Sequence, residues 1–133
     1  MPVYQLLTLL AVASFIGFGV LGVQGRQPPW QVPALLCLAF AGWTGFAIAN
    51  DGLVALWDLF TGSAWGVQVG IDLLLAFATA WGLALPRLRA VGMAPSGWFV
   101  LICCTGSIGV MAMLARLLWR EQAMPAQLLT GRI

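Results

Sequence analysis

The chain has 133 residues, 62% of them hydrophobic and 8% charged, against about 25% charged in an ordinary soluble domain, and no soluble fold of this size hides so much apolar surface. Arginine supplies all the positive charge, the formal net charge is +2, and histidine is absent. The small excess gives no sign of nucleic-acid binding, and metal, haem and neutral-pH acid–base chemistry all lack their commonest residue.

Four nearly uncharged apolar stretches occupy residues 3–23, 32–50, 67–85 and 98–119. Each has about the twenty residues a helix needs to cross roughly 30 Å of hydrocarbon. The expected fold is therefore an all-α integral membrane protein. It has one domain over residues 1–133, four transmembrane helices in a small bundle, and a tail at 120–133. The first span lacks the basic start of a secretion signal and exceeds a signal's apolar core, so it is read as a retained helix, although Ala11, Ala13 and Ser14 carry a trace of a cleavage pattern.

A linker follows with Gly25, Arg26, Pro28, Pro29 and Trp30, residues that end a helix and suit the headgroup level. Pro33 fits the first turn of the second helix, where no hydrogen bond is lost. Asn50, Asp51 and Gly52 mark that helix's end. Residues 53–66 place Leu53, Leu56, Trp57 and Phe60 at helical spacing but are too few to span, which predicts a short interfacial or re-entrant helix between helices 2 and 3. The alternative is that helix 3 starts early, near Gly62, and tilts. Helix 3 is expected to end at Pro86, and Arg87, Arg89, Gly92, Pro95 and Gly97 form a basic turn. Trp98 and Trp119 then bracket helix 4 at the two interfaces.

With four crossings, Arg26, Arg87 and Arg89 lie on one face and Arg116, Arg120 and Arg132 on the other. The positive-inside rule then gives a tie. Loops 1 and 3 are placed in the cytoplasm, and the tie leaves open insertion both ways with antiparallel pairing.

Asp72 is the most informative single residue, because a carboxylate inside a membrane helix must face protein, water or a cation. Trp65, Gln68, Asp72 and Thr79 share one helical side as a narrow polar stripe, directed into the bundle or towards a partner. In one reading Asp72 binds a proton or cation with Gln68 and Thr79 as neutral ligands. In the other it pairs with Arg116 of helix 4, which snorkels towards it. Gln68, Asp72, Thr79 and Arg116 are thus expected to be buried polar residues.

Small residues recur at four-residue spacing: Gly62, Gly66 and Gly70, then Ala76, Ala80 and Ala84. Others are Thr105, Gly109 and Ala112 in helix 4, Ala13 and Gly17 in helix 1, and Ala41 and Gly45 in helix 2. Such rows let helices approach closely, within one bundle or against another membrane protein. Cys37, Cys103 and Cys104 lack metal-site spacing and read as packing residues. Of seven tryptophans, Trp30, Trp65, Trp98 and Trp119 fit interface belts. Trp43 and Trp81 lie deeper and are candidate contacts for lipid, a carotenoid or a chlorophyll-type pigment.

Asp72-Leu73-Leu74 early in a helix, Arg87 and Arg89 followed by Gly92, Trp98 opening the last span and Arg120-Glu121 closing it resemble a domain-of-unknown-function family of small bacterial membrane proteins. The resemblance covers residues 60–121, and Arg116 departs from that family's apolar final helix. It implies four helices in a bacterial membrane and no known activity; the expected location is the inner or an intracytoplasmic membrane.

No nucleophile–base pair, metal set or phosphate loop points to an enzyme. The expected role is a non-catalytic accessory subunit of a larger membrane complex, energy-transducing or pigment-bearing, contacting lipids and other integral membrane subunits. The alternative is a small homodimeric transporter or channel, proton- or cation-coupled, working through Asp72.

Overall fold

The computed structural model describes residues 2–124; most of the expected tail, with Arg132, lies outside them. Five helices follow in order: α1 (Pro2–Val23), α2 (Gln31–Thr61), α3 (Ala64–Ala90), α4 (Pro95–Thr105) and α5 (Ser107–Ala123). The first three are long and apolar enough to cross a membrane. In lipid the backbone must satisfy its own hydrogen bonds, which an uninterrupted helix does. The chain is all-α and has the character of an integral membrane protein.

Glycine sets where the helices stop. After α1, Gly25 takes φ +65°, its N–H donates to the Gly22 carbonyl, and the Arg26 N–H reaches back to Leu21. That pair of bonds is the Schellman closure of a helix C-terminus. The same device recurs after α3, where Gly92 at φ +69° donates to Arg89 and Met93 to Leu88. Helix 3 therefore runs through Pro86, against the expectation that it ends there. The proline removes one backbone donor, while Leu88, fully buried two residues later, anchors the final turn to the core.

Residues 53–61 are helical as expected but continue α2 past a kink instead of forming a separate helix, so helix 2 does not end at Asn50–Gly52. Gly52 adopts φ 76° and ψ 169°, non-helical angles that kink α2 between Asp51 and Leu53. Ser63 then caps α3 by accepting the Gly66 N–H at 3.0 Å, so α3 begins at Ala64, earlier than residue 67 and near Gly62, as the alternative had it.

The main departure from expectation is the fourth apolar stretch, which is two helices rather than one. Gly106, at φ 60° and ψ −125°, separates α4 from α5. A Cβ on Gly109 would meet the Ile102 backbone at 2.9 Å, whereas in a straight helix residues seven apart are separated by about 10 Å of rise. At the far end of α5, Arg120 hydrogen-bonds the Val91 carbonyl, four residues before α4 begins. The 11 residues of α4 rise about 16 Å, the chain reverses at Gly106, and α5 descends to the level from which α4 started.

The core lies inside this hairpin and the end of α3. Leu88, Val91, Met93, Ile102, Met113 and Leu117 are buried together, with Phe77, Trp81, Ala84 and Trp98 packed around them. The start of α2 runs antiparallel to α5 on the other side. Cys37 donates its S–H to the Ile108 carbonyl at 3.5 Å, and Gln122 donates to the Pro28 carbonyl at 3.3 Å. Among the described residues, α1 packs against no other helix.

Candidate functional site

The hairpin brings to one end of the molecule the start of α2, the end of α3 and the end of α5. Arg26, Arg87, Arg89, Arg116 and Arg120 all gather there. The arginine tie expected for four crossings is overturned, because it placed Arg116 and Arg120 on the face opposite Arg87. Trp98 and Trp119 likewise share an end instead of bracketing a span. At this basic end the Arg87 guanidinium grips Glu121 with two bonds, Nε to Oε1 at 2.9 Å and Nη2 to Oε2 at 2.6 Å. Such a bidentate fork is the strongest geometry available to an ion pair, and it ties α3 to α5. Arg116 instead lies over the Trp119 ring, 4.4 Å from its centroid.

The polar stripe occupies the other half of α3. Gln68, Asp72, Thr79 and Arg116 are all exposed on the chain, which corrects the expectation that they are buried within it. The Gln68 amide donates to Asp72 Oδ1 at 3.4 Å, and the Thr79 hydroxyl donates to the Leu75 carbonyl at 2.9 Å. Asp72 does not pair with Arg116. It lies about 22 Å of helix rise from Arg87, whereas Arg116 is only about 7 Å from Glu121, so roughly 15 Å separates their levels. A straight fourth helix would have brought them closer; the reversal at Gly106 keeps them apart.

Several of the small residues are used at the junctions between the chain's own helices. Gly62 closes α2, donating to the Asp58 carbonyl at 2.7 Å. Gly66 is buried where a Cβ would collide with the Leu59 carbonyl, and Gly70 faces the Phe60 ring. Gly109 lets the two arms of the hairpin touch, and Ala112 lines the groove between α2 and α5. Ala76 is exposed and Ala80 half-buried. At Gly17 in α1, Gly42 and Gly45 in α2 and Gly82 in α3, an added Cβ would meet nothing within 4 Å. Those faces stand open.

Trp43 and Trp81 do not converge on one cavity. Trp43, its ring 5.3 Å from Phe46, lines the concave elbow of α2 at Gly52 with Phe40, Asp51 and Leu59. Trp81, 5.3 Å from Phe99, lines a groove of about 350 Å³ between α3 and α4 with Phe77, Ile102 and Gly106. Each groove is mainly apolar, with room for an acyl chain or a flat ring. Cys103 and Cys104 are exposed, and Cys37 is half-buried at the α2–α5 contact.

Sequence reasoning missed Gly106 and Arg120. The signal for the first was present: Thr105-Gly106-Ser107 repeats the triplet Thr61-Gly62-Ser63, and both triplets lie at helix breaks. Glycine is common inside membrane helices, so the triplet alone does not separate a break from a packing site. Arg120 closes the turn after α3 only because the hairpin returns it there. No known protein-family model, curated protein or solved structure matches this chain, so the site is read from its own residues.

Proposed function

We propose that this chain is a non-catalytic accessory subunit of a larger integral membrane complex, held in it by α1 and by the outward polar stripe of α3. The observation that carries the reading is the isolation of α1, an apolar helix of 22 residues that adds nothing to the fold of the rest. A helix in lipid gains no hydrophobic drive from self-association and pairs through close approach of small residues. Ala13 and Gly17 offer that approach, and among the described residues no other helix uses it. Asp72 adds support, because a carboxylate exposed to hydrocarbon is costly unless a neighbour covers it. The hairpin tip adds more: helix ends carry backbone groups without intrahelical partners, and at mid-bilayer depth these need protein or a wet cavity around them.

On this reading α1, α2 and α3 cross the bilayer, and α4 with α5 enters from the basic end and returns to it. Arg26, Arg87, Arg89, Arg116 and Arg120 then share one face, which the positive-inside rule makes cytoplasmic. Loops 1 and 3 keep the cytoplasmic placement expected from the sequence. On this reading the bias favours a single orientation over antiparallel dual insertion. Energy transduction or pigment contact, through the grooves at Trp43 and Trp81, is the setting these apolar surfaces suit.

Blue-native electrophoresis of native membranes tests the proposal. The chain should migrate in a large assembly at fixed ratio, and Ala13→Leu with Gly17→Leu should release it without lowering its own thermal stability. Asp72→Asn should loosen the same assembly. A chain that runs alone as a dimer, and whose Asp72→Asn variant loses proton-coupled flux in liposomes, would replace this reading with the homodimeric transporter. The outward Gln68–Asp72 pair is the observation favouring that second reading.

A further inference from the structure

Among the described residues, Arg116 is a cation without a carboxylate. Of the described acids, Glu121 is held by Arg87 through both oxygens, while Asp51, Asp58 and Asp72 lie towards the opposite end of the molecule. Arg120 is engaged with the Val91 carbonyl. Arg116 sits about 7 Å deeper along α5 than the Arg87–Glu121 pair, at a depth where an arginine in a bilayer seeks a counter-anion.

Its surroundings are shaped for one. The start of α2 and the outer face of α5 enclose a groove of about 350 Å³ lined by Trp30, Ala34, Ala112, Ala115, Arg116 and Trp119. Three alanines leave its floor open to an extended chain. The Trp119 ring supports the guanidinium from one face at 4.4 Å, which leaves its in-plane N–H donors, unengaged among the described residues, for a two-pronged oxyanion acceptor. Trp30 and Trp119 belong at the headgroup level, where an apolar ring meets a polar surface.

We infer that this groove is a binding site for one anionic phospholipid, its phosphate on the Arg116 guanidinium and an acyl chain lying along Ala34, Ala112 and Ala115. A soluble phosphate would satisfy the charge but leave the apolar floor and Trp30 unused, so the lipid is the occupant that accounts for the whole groove. The inference is independent of the assembly proposed above, because it needs only the contact between α2 and α5.

Native mass spectrometry of the full chain in mild detergent tests it, with phosphatidylglycerol, phosphatidylcholine and inorganic phosphate as probes. Phosphatidylglycerol should be retained roughly tenfold better than phosphatidylcholine, whose headgroup carries its own cation; tenfold corresponds to about 1.4 kcal/mol. Arg116→Gln should erase the preference. Arg116→Lys should keep part of it, having the charge without the planar fork. Arg89→Gln, which removes an exposed arginine at the same end, should leave it intact. Equal retention of the two lipids, or a preference that survives Arg116→Gln, overturns the site. Inorganic phosphate displacing phosphatidylglycerol as effectively as added lipid does would make it a soluble-anion site and overturn the lipid assignment.

Discussion

Replacing Gly106 with alanine distinguishes the two ways the last apolar stretch can fold, because they predict opposite signs. In the hairpin, Gly106 holds φ 60° and ψ −125°, angles that an L residue occupies at a cost of about 1–3 kcal/mol. The new Cβ would meet the Phe77 ring at 3.4 Å, an ordinary contact that adds little. Gly106→Ala is therefore expected to destabilise the isolated chain by about 1–3 kcal/mol. Were residues 98–119 one straight helix, the same change would remove a glycine from a helix interior and stabilise by up to about 1 kcal/mol. Gly109→Ala should cost more, since its Cβ would press on the Ile102 backbone at 2.9 Å, and backbone in a packed turn yields poorly. Gly42→Ala, inside α2 with nothing within 4 Å, serves as the control and should be neutral or mildly stabilising. Equilibrium unfolding in mixed micelles, following the helical signal as SDS is titrated, measures all three. A Gly106→Ala chain more stable than the parent would refute the hairpin.

Three further outcomes follow from the same geometry. In a background with Cys37, Cys103 and Cys104 replaced by alanine, Ser96→Cys and Gln122→Cys should both react with an impermeant maleimide from one side of sealed vesicles; labelling from opposite sides means that the stretch crosses. A double-mutant cycle with Arg87→Gln and Glu121→Gln should give a coupling of about 1 kcal/mol, the bidentate value discounted for an Arg87 side chain 42% exposed; a coupling near zero shows that the pair does not join α3 to α5. Leu117→Ala, fully buried in the core, should cost about 2–5 kcal/mol, while Leu74→Ala, 69% exposed, should cost little in the same unfolding measurement.

The arrangement explains why so little of this chain is buried. Its core occupies one end, around Leu88 and Leu117, and the rest of α1, α2 and α3 presents aliphatic and aromatic side chains outward. For a soluble protein such a surface would be an aggregation hazard. In a bilayer it is the ordinary lipid-facing or partner-facing surface, and the exceptions stand out against it: a carboxylate at Asp72, a cation at Arg116, and, among the described residues, a helix with no companion. Two of these exceptions were legible as residue types in the sequence. Their positions relative to each other were not, because Asp72 and Arg116 fall one span apart in a four-crossing reading and at different depths in the observed fold.

Composition and run length alone determined that the chain is helical and belongs in a membrane, since apolar runs of that length have no other stable form in lipid. Local chemistry also fixed several punctuation points: the glycines at 25 and 92 close helices with left-handed residues, and Gly52 breaks α2 where Asn50 and Asp51 precede it. Tertiary structure decided the rest. Pro86 does not end α3 because Leu88 is held in the core, and Gly106 reverses the chain because Gly109 allows Ile102 to approach and Phe77 packs over the bend. Once that reversal is made, Glu121 meets Arg87, five arginines share one end, and Asp72 is left facing outward. Hydropathy reports how apolar each residue is and carries no term for the direction of the next helix, which depends on contacts between residues far apart in the chain.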